Sequence, residues 1–150
     1  AGEEAHRKGY TQVLWLDGVE RKYVEEVGSM NIFFVIDNEL VTPSLSGSIL
    51  SGITRDTVLQ LAKKWGLPVT ERRLSIDELV DLYEADRLQE VFGSGTAAVI
   101  SPVGEIKYRD KAMSVGDGSV GPWAKRFFEA ITDIQYGRAE DPENWVLPVE

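Results

Sequence analysis

From Gln12 to Thr42 the chain reads QVLWLDGVERKYVEEVGSMNIFFVIDNELVT, and the punctuation of this stretch decides the fold. Gln12–Leu16 is a short apolar run, and it closes on Asp17-Gly18, a turn pair in which glycine accepts positive φ without steric cost. Tyr23–Val27 and Asn31–Ile36 read as two further strands. Asp37-Asn38-Glu39 then turns the chain into Leu40-Val41-Thr42. Pro43, with no N–H to offer a ladder, ends that strand. The expectation is an antiparallel meander.

Downstream, Gly52–Trp65 reads as a helix. Val58, Leu61, Ala62 and Trp65 fall at i, i+3, i+4 and i+7, which is one apolar face. Gly66 follows as a C-cap, and Pro68 prevents continuation. Val69–Leu74 is a predicted strand. Ser75-Ile76-Asp77-Glu78 reads as a helix start, with Ser75 as cap and Glu78 completing a capping box. Further strands are predicted at Glu90–Phe92, Ala97–Ile100 and Ile106–Tyr108. A last helix runs from about Pro122 to Tyr136, with Trp123, Phe127, Ile131 and Ile134 on its apolar side. Strand runs with interspersed helices, lacking regular βαβ alternation, predict an α+β fold.

The chain has 150 residues, 43% of them hydrophobic and 27% charged, enough for one domain with a real core. No linker, repeat or low-complexity block divides it. Apolar runs such as Ile32–Ile36 are far too short to span a bilayer. No basic, apolar-centred leader opens the chain, so a cytoplasmic protein without membrane attachment is expected. The missing initial Met and the helix-like start Ala1-Gly2-Glu3-Glu4-Ala5 suggest a trimmed chain. A formal charge of −9 argues against nucleic acid, whose phosphates need a basic surface. With no cysteine, disulfides, thiolate metal sites and cysteine nucleophiles are excluded, and no metal site is expected. The single histidine, His6, lies in a polar stretch beside Arg7 and Lys8 and leaves serine hydrolase chemistry without a convincing base.

Three stretches carry candidate chemistry. In Leu50–Asp56, Gly52 stands at a loop-to-helix junction. The amides of Ile53 and Thr54 are then free donors at the positive end of a helix dipole, which suits phosphate; an ordinary glycine cap is the alternative. Phe92-Gly93-Ser94-Gly95-Thr96-Ala97-Ala98 lets backbone approach a ligand closely, with Thr96 offering hydroxyl and amide. The alternative there is a glycine-rich bulge between strands. It is neither a Walker loop nor a dinucleotide fingerprint. In Tyr23–Asn31, neighbouring strand residues face opposite sides, so at most one of Glu25 and Glu26 points at an interior ligand. Such a carboxylate could hold a protonated pyridine nitrogen and sustain the ring as an electron sink, or it could simply face solvent.

Taken together, these stretches resemble the fold-type IV pyridoxal-phosphate enzymes, and most closely branched-chain aminotransferases. The matching blocks are Gln12–Gly18, Glu25–Asn31, Gly52–Asp56, Phe92–Val103 and Gly116–Pro122, in that order along nearly the whole chain. Gly-Ile-Thr-Arg is shared widely across the fold type, including D-amino acid aminotransferases and aminodeoxychorismate lyases. The first two blocks point to the branched-chain branch.

The resemblance implies the large, C-terminal, cofactor-cradling domain of the D-amino acid aminotransferase-like fold, spanning residues 1–150. That domain has mostly antiparallel strands in a pseudo-barrel with flanking helices. It also implies pyridoxal 5'-phosphate as cofactor. Glu26 matches the glutamate at the ring nitrogen, Ile53 and Thr54 the phosphate-holding amides and hydroxyl, and Thr96 a further phosphate ligand. Ser29 and Ala97 match positions whose backbone lies beside the substrate carboxylate, and Met30 helps shape the side-chain pocket. Ala98 and Ser101 stand where some relatives carry a redox-sensitive cysteine pair. The Schiff-base lysine of the family precedes a Gly-Gly-Asn-Tyr run, and none of this chain's lysines sits in such a motif. That lysine and the small N-terminal domain are therefore expected upstream of Ala1, leaving no catalytic residue within the chain. The implied reaction moves the amino group of leucine, isoleucine or valine to 2-oxoglutarate in a homodimeric full-length enzyme. The alternatives are another fold-type IV activity and a catalytically silent binding or assembly module.

Overall fold

The computed structural model describes residues 1–149. In order, the elements are α1 (Gly2–Arg7), β1 (Leu14–Leu16), β2 (Val24–Val27), β3 (Met30–Ile36), β4 (Glu39–Thr42), α2 (Ile53–Lys64) and β5 (Val69–Glu71). There follow α3 (Ile76–Glu84), β6 (Leu88–Gly95), β7 (Val99–Pro102), β8 (Glu105–Tyr108), β9 (Lys111–Ser114) and α4 (Pro122–Gln135).

Strand β3 organises the sheet because both of its edges are used. On one edge it pairs antiparallel with β6, from Asn31↔Ser94 to Ile36↔Leu88. The other edge is shared end to end: β2 takes its start (Glu26↔Asn31) and β4 its finish (Phe34↔Val41). Two strands leaving one edge must fork, and the chain from Pro43 to Gly52 departs from that fork. At the fork the carbonyl of Ile32 is met by the buried Thr42 hydroxyl at 2.7 Å. The continuous apolar run Ile32–Ile36 suits a strand covered on both faces. One face, with Phe33, Val35 and Phe92, packs on α2 and α4; the other, with Ile32, Phe34 and Val91, packs on α3 and the β8–β9 hairpin.

Aromatic rings bind the first layer together. Phe33 stacks on Phe92 with centroids 5.2 Å apart, and Phe127 of α4 lies 5.8 Å from Phe92 and 5.1 Å from Trp65. Each fully buried phenylalanine contributes roughly 1.5–3 kcal/mol, so this layer holds the orientation of α2 firmly.

Local signals explain where the helices begin and end. Gly66, at φ +73°, takes the left-handed position just beyond α2. Ser75 Oγ accepts the Glu78 amide at 3.0 Å and caps α3. The second half of the expected capping box does not form, because the Glu78 carboxylate is taken by Arg72 at 2.7 and 3.1 Å. Pro122 opens α4 without an N–H, so the first amides needing an acceptor are those of Trp123 and Ala124. Buried Glu90 of β6 accepts both, at 2.9 and 3.0 Å.

Three expectations are corrected. The β1–β4 meander is antiparallel throughout, as expected, but the predicted strand Val69–Leu74 stops at Glu71, and α2 acts as a crossover that pairs this β5 parallel with β4 (Leu40↔Val69). β7 starts at Val99 rather than Ala97, because Thr96–Ala98 form the turn. β9 carries no apolar signal in the sequence, since within Lys111–Ser114 only Met113 is buried. The α+β class stands, with a seven-stranded, mostly antiparallel sheet and a separate two-stranded one.

Candidate functional site

One row of cross-strand neighbours builds the floor of the site. Trp15, Glu26, Asn31, Ser94 and Ile100 are successive partners across β1, β2, β3, β6 and β7. Directly opposite residues share a face, and Asn31 shares the face of Phe33, two positions on. This row therefore continues the α2-side layer at the point where aromatic packing gives way to polar side chains.

The segment that leaves the fork lies over this floor. Asn31 Nδ2 donates to the Leu50 carbonyl at 2.7 Å, and the Leu50 amide lies 3.4 Å from Glu26 Oε1. Glu25 Oε1 accepts the Ser48 hydroxyl at 2.7 Å. Strict alternation predicts that only one of the paired glutamates can turn this way. The register, however, jumps from Trp15↔Glu26 to Leu16↔Val24, so Glu25 is the extra residue of a β-bulge, and both carboxylates face the Ser48–Leu50 segment. Two residues on, Gly52 takes φ +67° and ψ 124° and opens α2 with no side-chain cap. A Cβ there would overlap Asn31 Oδ1, so only glycine lets the helix start this close to the strand. The N-terminal amides of α2, at Ile53 and Thr54, thus begin beside Asn31, and the helix dipole presents its positive end here.

Arg55 fixes the same turn from behind. Its guanidinium, 4% exposed, donates to the Pro43 carbonyl at 3.1 Å and to Glu71 at 2.6 Å. That ties α2 to the ends of β4 and β5. The pairing matters because an unpaired buried guanidinium would be strongly destabilising.

The remaining sequence-predicted residues occupy two turns at the same end of the sheet. Gly28-Ser29 joins β2 to β3, with Gly28 at φ +58° as a two-residue hairpin beginning with glycine requires. Trp15 Nε1 donates to the Gly28 carbonyl at 3.0 Å, and the Gly28 amide donates to Val13 at 2.8 Å, so the Gln12–Trp15 block pins this turn. Thr96-Ala97-Ala98 joins β6 to β7. Because β3 and β6 run antiparallel with Asn31 opposite Ser94, the two turns lie side by side, and Met30 packs against Gly93 and Gly95 between them. Val99, a β-branched residue at φ +59°, holds a strained conformation costing roughly 1–3 kcal/mol. Ser94 Oγ is buried without a hydrogen-bond partner beneath it.

Glu26, Ile53, Thr54, Ser29, Thr96 and Ala97 are therefore gathered at one rim. Sequence reasoning missed the parts played by Asn31, Leu50, Ser94 and Arg55. The signal for Asn31 was a polar residue heading the apolar run Ile32–Ile36; Arg55 stands in the Gly-Ile-Thr-Arg block, but its partners, like those of Leu50, are distant in sequence. The rim suits a ligand that is cationic at one end, toward Glu26, and anionic at the other, toward the uncapped α2 N-terminus. The unpartnered Ser94 hydroxyl fits such a group. Among the described residues, no lysine is hydrogen-bonded or ion-paired to Glu26, Thr54 or Thr96.

A sizeable cavity lies elsewhere. Its volume is about 850 Å³, and it borders the α3-side layer at Val27, Ile32 and Ile106, with Tyr10, Gln12 and Glu105 on its walls. None of the six predicted site residues lines it, but Met30 does: it packs on the α3-side layer and so does not face the rim, contrary to the expectation that it shapes a pocket there. No helix among the described residues is long and apolar enough to cross a membrane.

The fold recurs in solved aminotransferases. The chain superposes on a branched-chain amino acid aminotransferase of Escherichia coli with a TM-score of 0.80 and 40% identity, covering 96% of this chain and 43% of that one. A second branched-chain amino acid aminotransferase, solved in complex with N-(5'-phosphopyridoxyl)-L-glutamate, gives 0.82 and 36% identity over 98% of this chain and 45% of its own. That of the archaeon Thermoproteus uzoniensis, solved with norvaline, gives 0.80 and 34% identity over 99% of this chain and 45% of its own. The fold is that of fold-type IV aminotransferases.

Residues 1–106 match the amino-transferase class IV family, and the chain belongs to that family. It is 56% identical over 149 residues to branched-chain-amino-acid transaminase 1 of Bacillus subtilis, covering 99% of this chain and 42% of that protein. It is 46% identical to a probable branched-chain-amino-acid aminotransferase of Streptomyces coelicolor, covering 97% of this chain and 40% of that protein. The chain thus spans about two-fifths of the length of these curated relatives.

Proposed function

We propose that this chain is the cofactor-cradling large domain of a pyridoxal-phosphate-dependent branched-chain aminotransferase, which moves the amino group of leucine, isoleucine or valine to 2-oxoglutarate. The observation that carries the reading is the convergence, at one end of one sheet face, of the Glu26 carboxylate, the uncapped α2 N-terminus and the Thr96–Ala98 turn. The likeness to branched-chain aminotransferases from several bacteria supports it.

Bound pyridoxal phosphate supplies an electron-withdrawing ring that stabilises the charge left when the α-proton is removed. The chain's own residues do the rest. Glu26 holds a proton on the ring nitrogen through its negative charge. The amides of Ile53 and Thr54, with the hydroxyls of Thr54 and Thr96, hold the phosphate. The backbone at Ser29 and Ala97 receives the substrate carboxylate. Attachment of the cofactor and transfer of the proton fall to a lysine that residues 1–150 do not supply, with a small domain covering the rim in a homodimeric cytoplasmic enzyme. The isolated chain is inactive.

The test is made on the intact protein carrying this domain. Turnover of leucine with 2-oxoglutarate is expected, and its absence alongside turnover of a D-amino acid would replace the substrate assignment. Glu26→Ala should lose most of its rate while keeping the cofactor attached; wild-type turnover in that variant refutes the role given to Glu26. Thr54→Ala and Thr96→Ala should each weaken cofactor binding by roughly 1.5–3 kcal/mol, the value of a hydrogen bond to a charged acceptor. Unchanged affinity in both places the phosphate elsewhere.

A further inference from the structure

We infer that Asn31 is a positioning residue that sets the separation between Glu26 and the N-terminus of α2 by gripping the Leu50 peptide between them; this rests on the reading of that rim as a pyridoxal phosphate cradle. The two ends of the cradle belong to different parts of the fold. Glu26 stands on β2, whereas Ile53 and Thr54 follow the long segment that leaves β4 at Pro43. β2 and β4 share an edge of β3 but not a ladder with each other, so their ladders join them only through β3, and Leu50 lies in neither.

The Leu50 peptide supplies the missing link. Its carbonyl accepts from Asn31 Nδ2 at 2.7 Å, and its amide lies 3.4 Å from Glu26 Oε1. Asn31 and Glu26 are directly opposite on adjacent strands, so one peptide group is held on both sides by neighbouring floor residues. The same asparagine sets the helix start, because its Oδ1 abuts Gly52, the residue before the amides of Ile53 and Thr54. Asn31 is 7% exposed, so its amide is locked by packing. Leu50 itself is 78% exposed and contributes almost no packing of its own to hold the segment. The grip is therefore made by the floor and not by the segment.

The experiment compares Asn31→Leu, of similar size, with Ser75→Ala in the intact protein. Ser75→Ala removes the α3 cap on the opposite face and serves as a loss of stability that leaves the cradle alone. Cofactor affinity is measured by equilibrium dialysis of the cofactor-free protein with pyridoxal 5'-phosphate. Release of the segment is measured by the rate of chymotryptic cleavage at Leu50. Asn31→Leu should weaken affinity about tenfold and speed cleavage at Leu50 by a similar factor, as loss of a buried hydrogen bond implies. Ser75→Ala should change neither by more than about twofold. Should Asn31→Leu fail to fold, Asn31→Ala removes the donor without adding charge and is expected to behave alike.

Unchanged cleavage and affinity in the Asn31 variant would overturn the inference, as would equal shifts in Asn31→Leu and Ser75→Ala. Wild-type protein that binds no pyridoxal phosphate would sink the functional reading instead, and cleavage at Leu50 would still decide whether Asn31 holds the segment.

Discussion

Gly52→Ala tests the geometry at the point where the cradle is tightest. At φ +67° and ψ 124°, Gly52 holds a conformation that residues with a Cβ scarcely populate, and forcing one there costs roughly 1–3 kcal/mol. The new methyl would also overlap Asn31 Oδ1. Moving that side chain breaks the 2.7 Å bond from Asn31 Nδ2 to Leu50, a further loss of about 0.5–1.5 kcal/mol. The sum is roughly 1.5–4.5 kcal/mol. With a urea dependence of about 1–3 kcal/mol per molar, the unfolding midpoint followed by tryptophan fluorescence should fall by on the order of 1–2 M. Gly18→Ala is the matched control, because a Cβ at Gly18 meets nothing within 4 Å and its φ is not positive. That variant should stay within about 0.5 kcal/mol of wild type. A Gly52→Ala midpoint indistinguishable from that of Gly18→Ala would refute the reasoning, since it would mean that neither the backbone at Gly52 nor its contact with Asn31 is constrained.

Two other outcomes follow from buried carboxylates. Glu90→Ala should destabilise the protein by roughly 1–3 kcal/mol, because Trp123 and Ala124 lose their only cap at a helix opened by Pro122; Glu90→Gln, which keeps one acceptor, should lose less, and equal urea midpoints for Glu90→Ala and wild type would contradict the assignment. The Asp17 carboxyl is held well below the usual carboxylate range by backbone N–H groups of Tyr23, Lys22 and Glu20. A depressed folded value means its stabilisation is complete above the unfolded value of about 3.9 and is lost as pH falls below it. Unfolding midpoints between about pH 5 and pH 2 should therefore fall less steeply in Asp17→Asn than in wild type; parallel slopes would remove Asp17 as a source of acid sensitivity.

Much of this was legible because it is local. The helices α2, α3 and α4 are written as apolar periodicity with Gly66, Ser75 and Pro122 as boundary signals, each acting within a turn of its own element. Asn31–Ile36 was legible as a strand, and the ordered blocks from Gln12 to Pro122 marked the family. The polarity of the site was legible too, as a carboxylate in one stretch and free helix amides in another.

What the sequence determined by itself was the set of elements and the residues able to carry charge or donate hydrogen bonds, since these depend on interactions between near neighbours. Only the tertiary structure decided how they meet. The fork of β2 and β4 on one edge of β3, the bulge that turns both Glu25 and Glu26 to the same side, and the grip of Asn31 on Leu50 join residues that lie far apart in the chain or in different strands. Strand pairing and register arise from the packing of two layers at once, and no local pattern of residues contains that information.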